Sequence, residues 1–257
     1  MTRTLAIAAT TLREALRERL FHNLLVFAIL LVAGSLTISQ LTLGEQFRII
    51  ADIGTSATQL FGTLIAVFLG VGLLSKELDR RTCYAALARP VSRASFVVGK
   101  FLGLLATLAL NVTVMALATA AVLLSYRGLD ALTWSYLATF ALIALQLAIC
   151  GAFAVLFSTF TTATLSSIMT LALVGAGWVF AEVRSFWLQA NDVGLKPLVR
   201  VLDLVLPNMA LLDLKETVTY GDAVSLGSVL TRGAYGACYA ATLVLLAAVA
   251  FTRRDVR

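Results

Sequence analysis

Apolar residues run along this chain in six blocks, each long enough to cross a lipid bilayer as a helix. A crossing needs about 20 mostly apolar residues, each rising about 1.5 Å through roughly 30 Å of hydrocarbon. The stretches that qualify are Phe21–Ser39, Ile53–Ser75, Phe101–Ser125, Ser135–Phe157, Leu165–Val183 and Gly233–Thr252. Apart from cysteine and tyrosine, their only ionisable side chains are His22 and Glu182, each at the edge of a block. Ser158–Thr164 (STFTTAT) carries no charge to mark a bilayer surface, but a short Ser/Thr-rich stretch suits a turn between two antiparallel helices.

The residues before the first block follow another rhythm. Thr4–Leu20 places Leu5, Ala8, Leu12, Leu16 and Leu20 on one helical stripe, with Arg13, Glu14, Arg17 and Glu18 elsewhere on the circumference. Those charges interrupt the apolar run that a signal peptide needs. The pattern predicts that residues 1–20 form an amphipathic helix flat on the cytoplasmic face, its arginines near anionic headgroups. Residues 21–257 then make up the membrane domain. The expected fold class is all-α: a polytopic integral membrane protein with six transmembrane helices and an N-terminal interfacial helix.

Composition agrees with this reading. Of 257 residues 60% are hydrophobic and 13% charged, with a mean hydropathy of +0.93. Soluble domains carry about 25% charged residues, so these charges could not clothe a soluble surface of this size. The net charge of +6 could suggest a nucleic-acid partner, but its distribution points to a membrane topology instead. With both termini inside, the cytoplasmic segments hold thirteen of the twenty Lys and Arg and five acids, and the outer segments are net negative. The short loops decide. Lys76, Arg80, Arg81, Arg89, Arg93 and Lys100 lie between the second and third blocks, against one basic residue each at Arg48 and Arg127. Both ends are therefore expected in the cytoplasm.

The missing chemistry narrows the function. Cys83, Cys150 and Cys238 lie in separate segments without metal-site or disulfide spacing, and His22 is the one histidine. No phosphate-binding Gly-x-x-x-x-Gly-Lys-Ser/Thr loop occurs, so the chain is not expected to bind ATP or act as an enzyme, and it calls for no cofactor of its own. No charged group lies centrally in any block, whereas proton- and ion-coupled carriers keep such groups near the midplane. Apart from Asn23 at the edge of the first block, three amides lie within the blocks: Gln59, Asn111 and Gln146. They are candidates for hydrogen bonds between helices or for polar groups along a translocation path.

Lys76–Lys100 is the most basic stretch of the chain. Lys76 to Leu87 can form a short helix with Glu77 and Asp79 early, where the helix dipole favours acids. Pro90 should end it near Ala88, and Ser92 can cap the third span. On the other side, Arg184–Arg232 reads as two helical pieces broken by Pro197, Pro207 and Tyr220-Gly221-Asp222, with too many apolar residues for a solvated linker.

Ordered motifs across nearly the whole chain resemble the type-two permeases of ABC transporters. They are Glu77-Leu78-Asp79-Arg80-Arg81-Thr82, Ala88-Arg89-Pro90-Val91-Ser92-Arg93 and Val98-Gly99-Lys100-Phe101-Leu102-Gly103. Leu41–Glu45, Leu206-Pro207-Asn208-Met209, Leu212-Asp213-Leu214-Lys215 and Phe251–Val256 also fit. The chain is similar to permeases of gliding-motility and nitrous-oxide-reductase maturation systems. The resemblance implies an inner-membrane exporter subunit of a bacterium, paired with a second permease copy or a homologue and bound to two separate ATP-binding subunits that hold ATP and Mg. It implies an outer subdomain at 184–232, which could meet a periplasmic partner, and a coupling segment within 76–100 that receives ATPase motion. Carried onto this chain, the coupling contacts are Lys76, Glu77, Asp79, Arg80, Arg81, Tyr84, Leu87 and Arg89. A membrane scaffold that holds a periplasmic partner without transporting anything is the alternative; an intramembrane enzyme is disfavoured by the lack of catalytic clusters.

Overall fold

The computed structural model describes residues 2–40, 46–79, 92–127, 133–189, 206–215, 217 and 224–253. They form seven long helices: α1 (Thr2–Ala15), α2 (Arg19–Gln40), α3 (Gln46–Asp79), α4 (Arg93–Arg127), α5 (Trp134–Ser158), α6 (Ala163–Gln189) and α7 (Leu226–Arg253). Among the described residues one 3-10 turn, Met209–Leu212, lies between α6 and α7, and there is no strand. The fold is all-α, and α2 to α7 are each long and apolar enough to cross a membrane.

Every spanning helix contains its apolar block, and most extend past it, because adding a residue to an existing helix costs far less than starting one. Three extensions matter. α7 begins at Leu226 rather than at Gly233, because the Ser225 hydroxyl accepts the Ser228 N–H at 3.3 Å and caps a polar first turn. α4 begins at Arg93, where the Ser92 hydroxyl accepts the Ser95 N–H at 3.2 Å, the cap expected from the sequence. α3 runs without a break through Lys76, Glu77 and Asp79. These residues are the last turn of the second span, which corrects the expectation of a separate helix starting at Lys76. Arg80, Arg81, Tyr84, Leu87 and Arg89 lie outside the described residues, as do Pro197 and Tyr220-Gly221-Asp222.

α5 is the centre of the bundle. Its apolar window is 78% buried, against 22% for α2, and it packs against α3, α4, α6 and α7, while α2 packs mainly on α3 and α4. Close approach around α5 depends on absent side chains. A methyl group added at Gly62 would lie 2.5 Å from Leu147, and one at Gly70 would lie 2.7 Å from Ala154, so α3 can seat directly on α5. Buried threonines close their hydroxyls locally: Thr55, Thr58, Thr107, Thr119, Thr139 and Thr170 each donate to the carbonyl four residues back.

α1 packs against α4. Its docking row is Ile7, Thr11 and Ala15 with Ala8, and Thr11 and Ala15 are buried, whereas Leu5 of the expected stripe is exposed. Gly99 and Gly103 make the contact possible: a Cβ at Gly99 would meet Ile7 at 3.0 Å, and one at Gly103 would meet Thr11 at 2.5 Å and the Ala8 carbonyl at 2.7 Å. The buried Lys100 reaches Glu14 at 3.5 Å and sits over the Phe96 ring. α1 thus has two apolar faces, one on the protein and one, carrying Leu5, left outward.

Candidate functional site

The segment after α6 does not stay at the rim. Met209 and Leu212 are fully buried, and the 3-10 turn contacts α5, α6 and α7. The backbone of Pro207 crosses α6 at Gly177, where an added Cβ would lie 2.8 Å from the Pro207 carbonyl oxygen. Gly177 is near the middle of α6, and Gln146, whose Nε2 donates to the Met209 carbonyl at 3.2 Å, is the central residue of α5. Irregular backbone at that depth is stable only where protein satisfies its polar groups. Here the Thr139 hydroxyl shares its proton between the Ser135 carbonyl at 2.9 Å and the Leu214 carbonyl at 3.3 Å, and Arg232 donates to the Leu211 carbonyl at 3.1 Å. The Asn208 N–H donates to the Tyr235 hydroxyl at 2.9 Å, and the Asn208 side chain accepts the Leu211 N–H.

Two of the three span amides belong to this arrangement. Gln59 Nε2 donates to Gln146 Oε1 at 2.7 Å, so a chain of hydrogen bonds runs from α3 through α5 to the inserted turn. Gln59 also lines a cleft of about 360 Å³ between α3 and α6, with Ser56, Thr63, Trp178 and Lys215 supplying the other polar groups. Leu60, Leu64, Leu171 and Val174 make its walls apolar. Lys215 lies over the Trp178 ring at 5.6 Å and pairs with Asp213 at 3.8 Å, its cation held at the mouth by a ring face and a carboxylate. Asn111 stands apart: it is 1% exposed, and neither side-chain polar atom has a hydrogen-bond partner. The structure therefore joins Gln59 to Gln146 and leaves Asn111 outside their network. None of the three faces lipid, since all are buried.

A family model described as ABC-2 family transporter protein matches residues 5–256. The chain belongs to the ABC-2 transporter family. A search of curated proteins finds no match. Membership makes this chain the membrane-spanning part of an ABC transporter, in a family whose membrane subunits are not themselves ATPases. In this ABC-2 protein Lys215, Trp178, Arg232 and Tyr235 were not read as site residues from the sequence. Lys215 stood in a recognised run, Leu212–Lys215, but nothing in that run says that it meets Trp178 of α6.

At one end of this ABC-2 bundle the ends of α1, α4 and α7 meet. The start of α4 touches the end of α7, through Arg93 donating to the Thr252 carbonyl at 3.4 Å and Phe96 stacking on Phe251 at 6.2 Å. It also touches α1 through Lys100 and Glu14. The expected coupling contacts Lys76, Glu77 and Asp79 are placed on the last turn of α3, and the other five lie outside the described residues.

Proposed function

We propose that this chain is the permease of an ATP-driven exporter in a bacterial cytoplasmic membrane, with both ends in the cytoplasm. It works as a dimer of permeases on two ATP-binding subunits, which carry the ATP and Mg. The observation that carries the reading is the family match over residues 5–256 together with six apolar helices. The coupling contacts are Lys76, Glu77, Asp79, Arg80, Arg81, Tyr84, Leu87 and Arg89, joined through α4 to α1 and α7. ATPase motion entering at this end would move α3 and α4 together, since both are packed on the central α5.

The cleft between α3 and α6 is the section of the translocation path that each permease contributes, with Gln59 and Lys215 as its polar contacts. Its apolar walls and few polar groups suit a ligand with apolar surface. Gln146 supports the path from behind by fixing Gln59 and the Met209 carbonyl, and Asn111 is removed from it. In the experiment that tests this, cysteines at Ser56 and Leu171, on opposite walls of the cleft, are bridged by a reducible thiol linker in the complex reconstituted with its ATP-binding subunit. Transport should stop on bridging and return on reduction. Unchanged transport in the bridged complex would remove the cleft from the path.

A further inference from the structure

The elbow between α1 and α2 carries charged chemistry that transport leaves unused. α1 ends at Ala15 and α2 starts at Arg19; between them the Arg17 and Glu18 N–H groups donate to the Glu14 and Ala15 carbonyls at 3.1 and 3.2 Å. Beside this tight turn is an open recess of about 730 Å³ lined by Arg13, Arg17 and Arg19, with Glu14, Glu18 and Leu20. Glu14 is engaged by Lys100, and Glu18 is engaged as well. The three guanidinium groups have no hydrogen-bond or ion-pair partner among the described residues. Three like charges around one recess favour an anion between them, and guanidinium forks match phosphate oxygens.

The surroundings select the form of that phosphate. Leu20 on the lining is 53% exposed, and it begins a row along α2 in which Phe27, 62% exposed, and Leu31 face outward while Leu24 is half-buried against the core. α2 is the least buried of the six spanning helices. The recess therefore sits where the apolar face of a span meets its charged end, the level of a headgroup with its acyl chains alongside. A free phosphate would use the arginines and leave that row idle.

We propose that the α1–α2 elbow is a binding site for an anionic phospholipid, its phosphate held by Arg13, Arg17 and Arg19 and an acyl chain lying along Leu20, Leu24, Phe27 and Leu31. Because α1 is docked on α4 through Gly99, Gly103 and Lys100, a lipid held here joins the first two helices at the foot of the helix that follows the coupling segment.

The test is native mass spectrometry of the full chain in detergent. Separate arms contain phosphatidylglycerol, phosphatidylcholine of the same acyl chains, and inorganic phosphate. The parent should retain phosphatidylglycerol in preference to phosphatidylcholine and bind no inorganic phosphate at matched concentration. Arg13→Gln, Arg17→Gln and Arg19→Gln should each lower that retention roughly fivefold, and the triple variant on the order of a hundredfold. Arg17→Lys, which keeps the charge and cannot unfold the elbow through charge loss, should fall between parent and Arg17→Gln. Arg253→Gln, an exposed arginine away from the recess, should change nothing. Equal retention in the triple variant and parent overturns the proposal, as does an equal loss in Arg253→Gln. Tight binding of inorganic phosphate alone would mean a soluble-anion site. That result also overturns it.

Discussion

Gln59 and Gln146, eighty-seven positions apart, meet side chain to side chain at 2.7 Å in the middle of the bundle. The contact makes one residue of each helix answerable to the other. Gln146 has a second duty, since its amide nitrogen holds the Met209 carbonyl of the inserted turn. Removing either side chain therefore has unequal consequences.

Gln59→Leu leaves Gln146 bonded to Met209 and should cost about 1 kcal/mol. Gln146→Leu strands both the Gln59 amide and the Met209 carbonyl, and should cost about 2–3 kcal/mol. Thermal unfolding of the detergent-purified chain checks the order. Equal losses would mean that the bond to Met209 contributes nothing.

Gly103→Ala should loosen α1. The new methyl would lie 2.7 Å from the Ala8 carbonyl, a backbone atom that cannot swing aside. A destabilisation of about 1–3 kcal/mol and faster proteolysis ahead of Ala15 are expected. Gly175→Ala, with nothing within 4 Å of the added atom, should stay within about 0.5 kcal/mol of the parent.

Asn111→Leu should stabilise the chain. The amide is buried with both polar atoms unpaired, and leucine repeats its branched outline with bulkier methyl groups and no desolvation cost, so a net gain of up to about 1 kcal/mol is expected. A lower melting temperature for this variant would show that the amide has a partner that matters. Measured transport of the same variant then separates stability from function.

The coupling reading makes its own claim on residues 80–91. Tyr84→Ala and Leu87→Ala should weaken assembly with the ATP-binding subunit by about 2 kcal/mol each, whereas single changes at Arg80 or Arg81 should cost about 0–1 kcal/mol. Ala85→Pro should uncouple transport at roughly 3 kcal/mol of helix disruption while leaving membrane insertion intact. Co-purification followed by transport measures all of them. Normal assembly and coupling in the first two and the proline variant would return the segment to a plain basic loop.

Topology is checked on a background lacking Cys83, Cys150 and Cys238. A cysteine at Ala131 should react with an impermeant thiol reagent applied to intact cells, and one at Ala86 should not. Labelling at position 86 would invert the orientation read from the basic loops.

Some of this protein was decided by its sequence alone. The six apolar blocks specify six spanning helices because hydrocarbon demands a closed backbone, and only helices of this length supply it within one segment. The Ser92 cap and the missing phosphate loop were equally legible, since each depends on neighbours a few residues apart. The order of motifs named the family that the match over residues 5–256 establishes. What only the tertiary structure decided depends on residues far apart in the chain. Hydropathy placed Leu206–Lys215 outside, but hydropathy does not register that Gln146, Thr139 and Arg232 can satisfy its carbonyls deep in the bundle. Periodicity found apolar residues on α1 but could not choose Ile7, Thr11 and Ala15 as the docked row. That choice was made by Gly99 and Gly103, two absent side chains on a helix about ninety residues away, which let α1 approach on one side only.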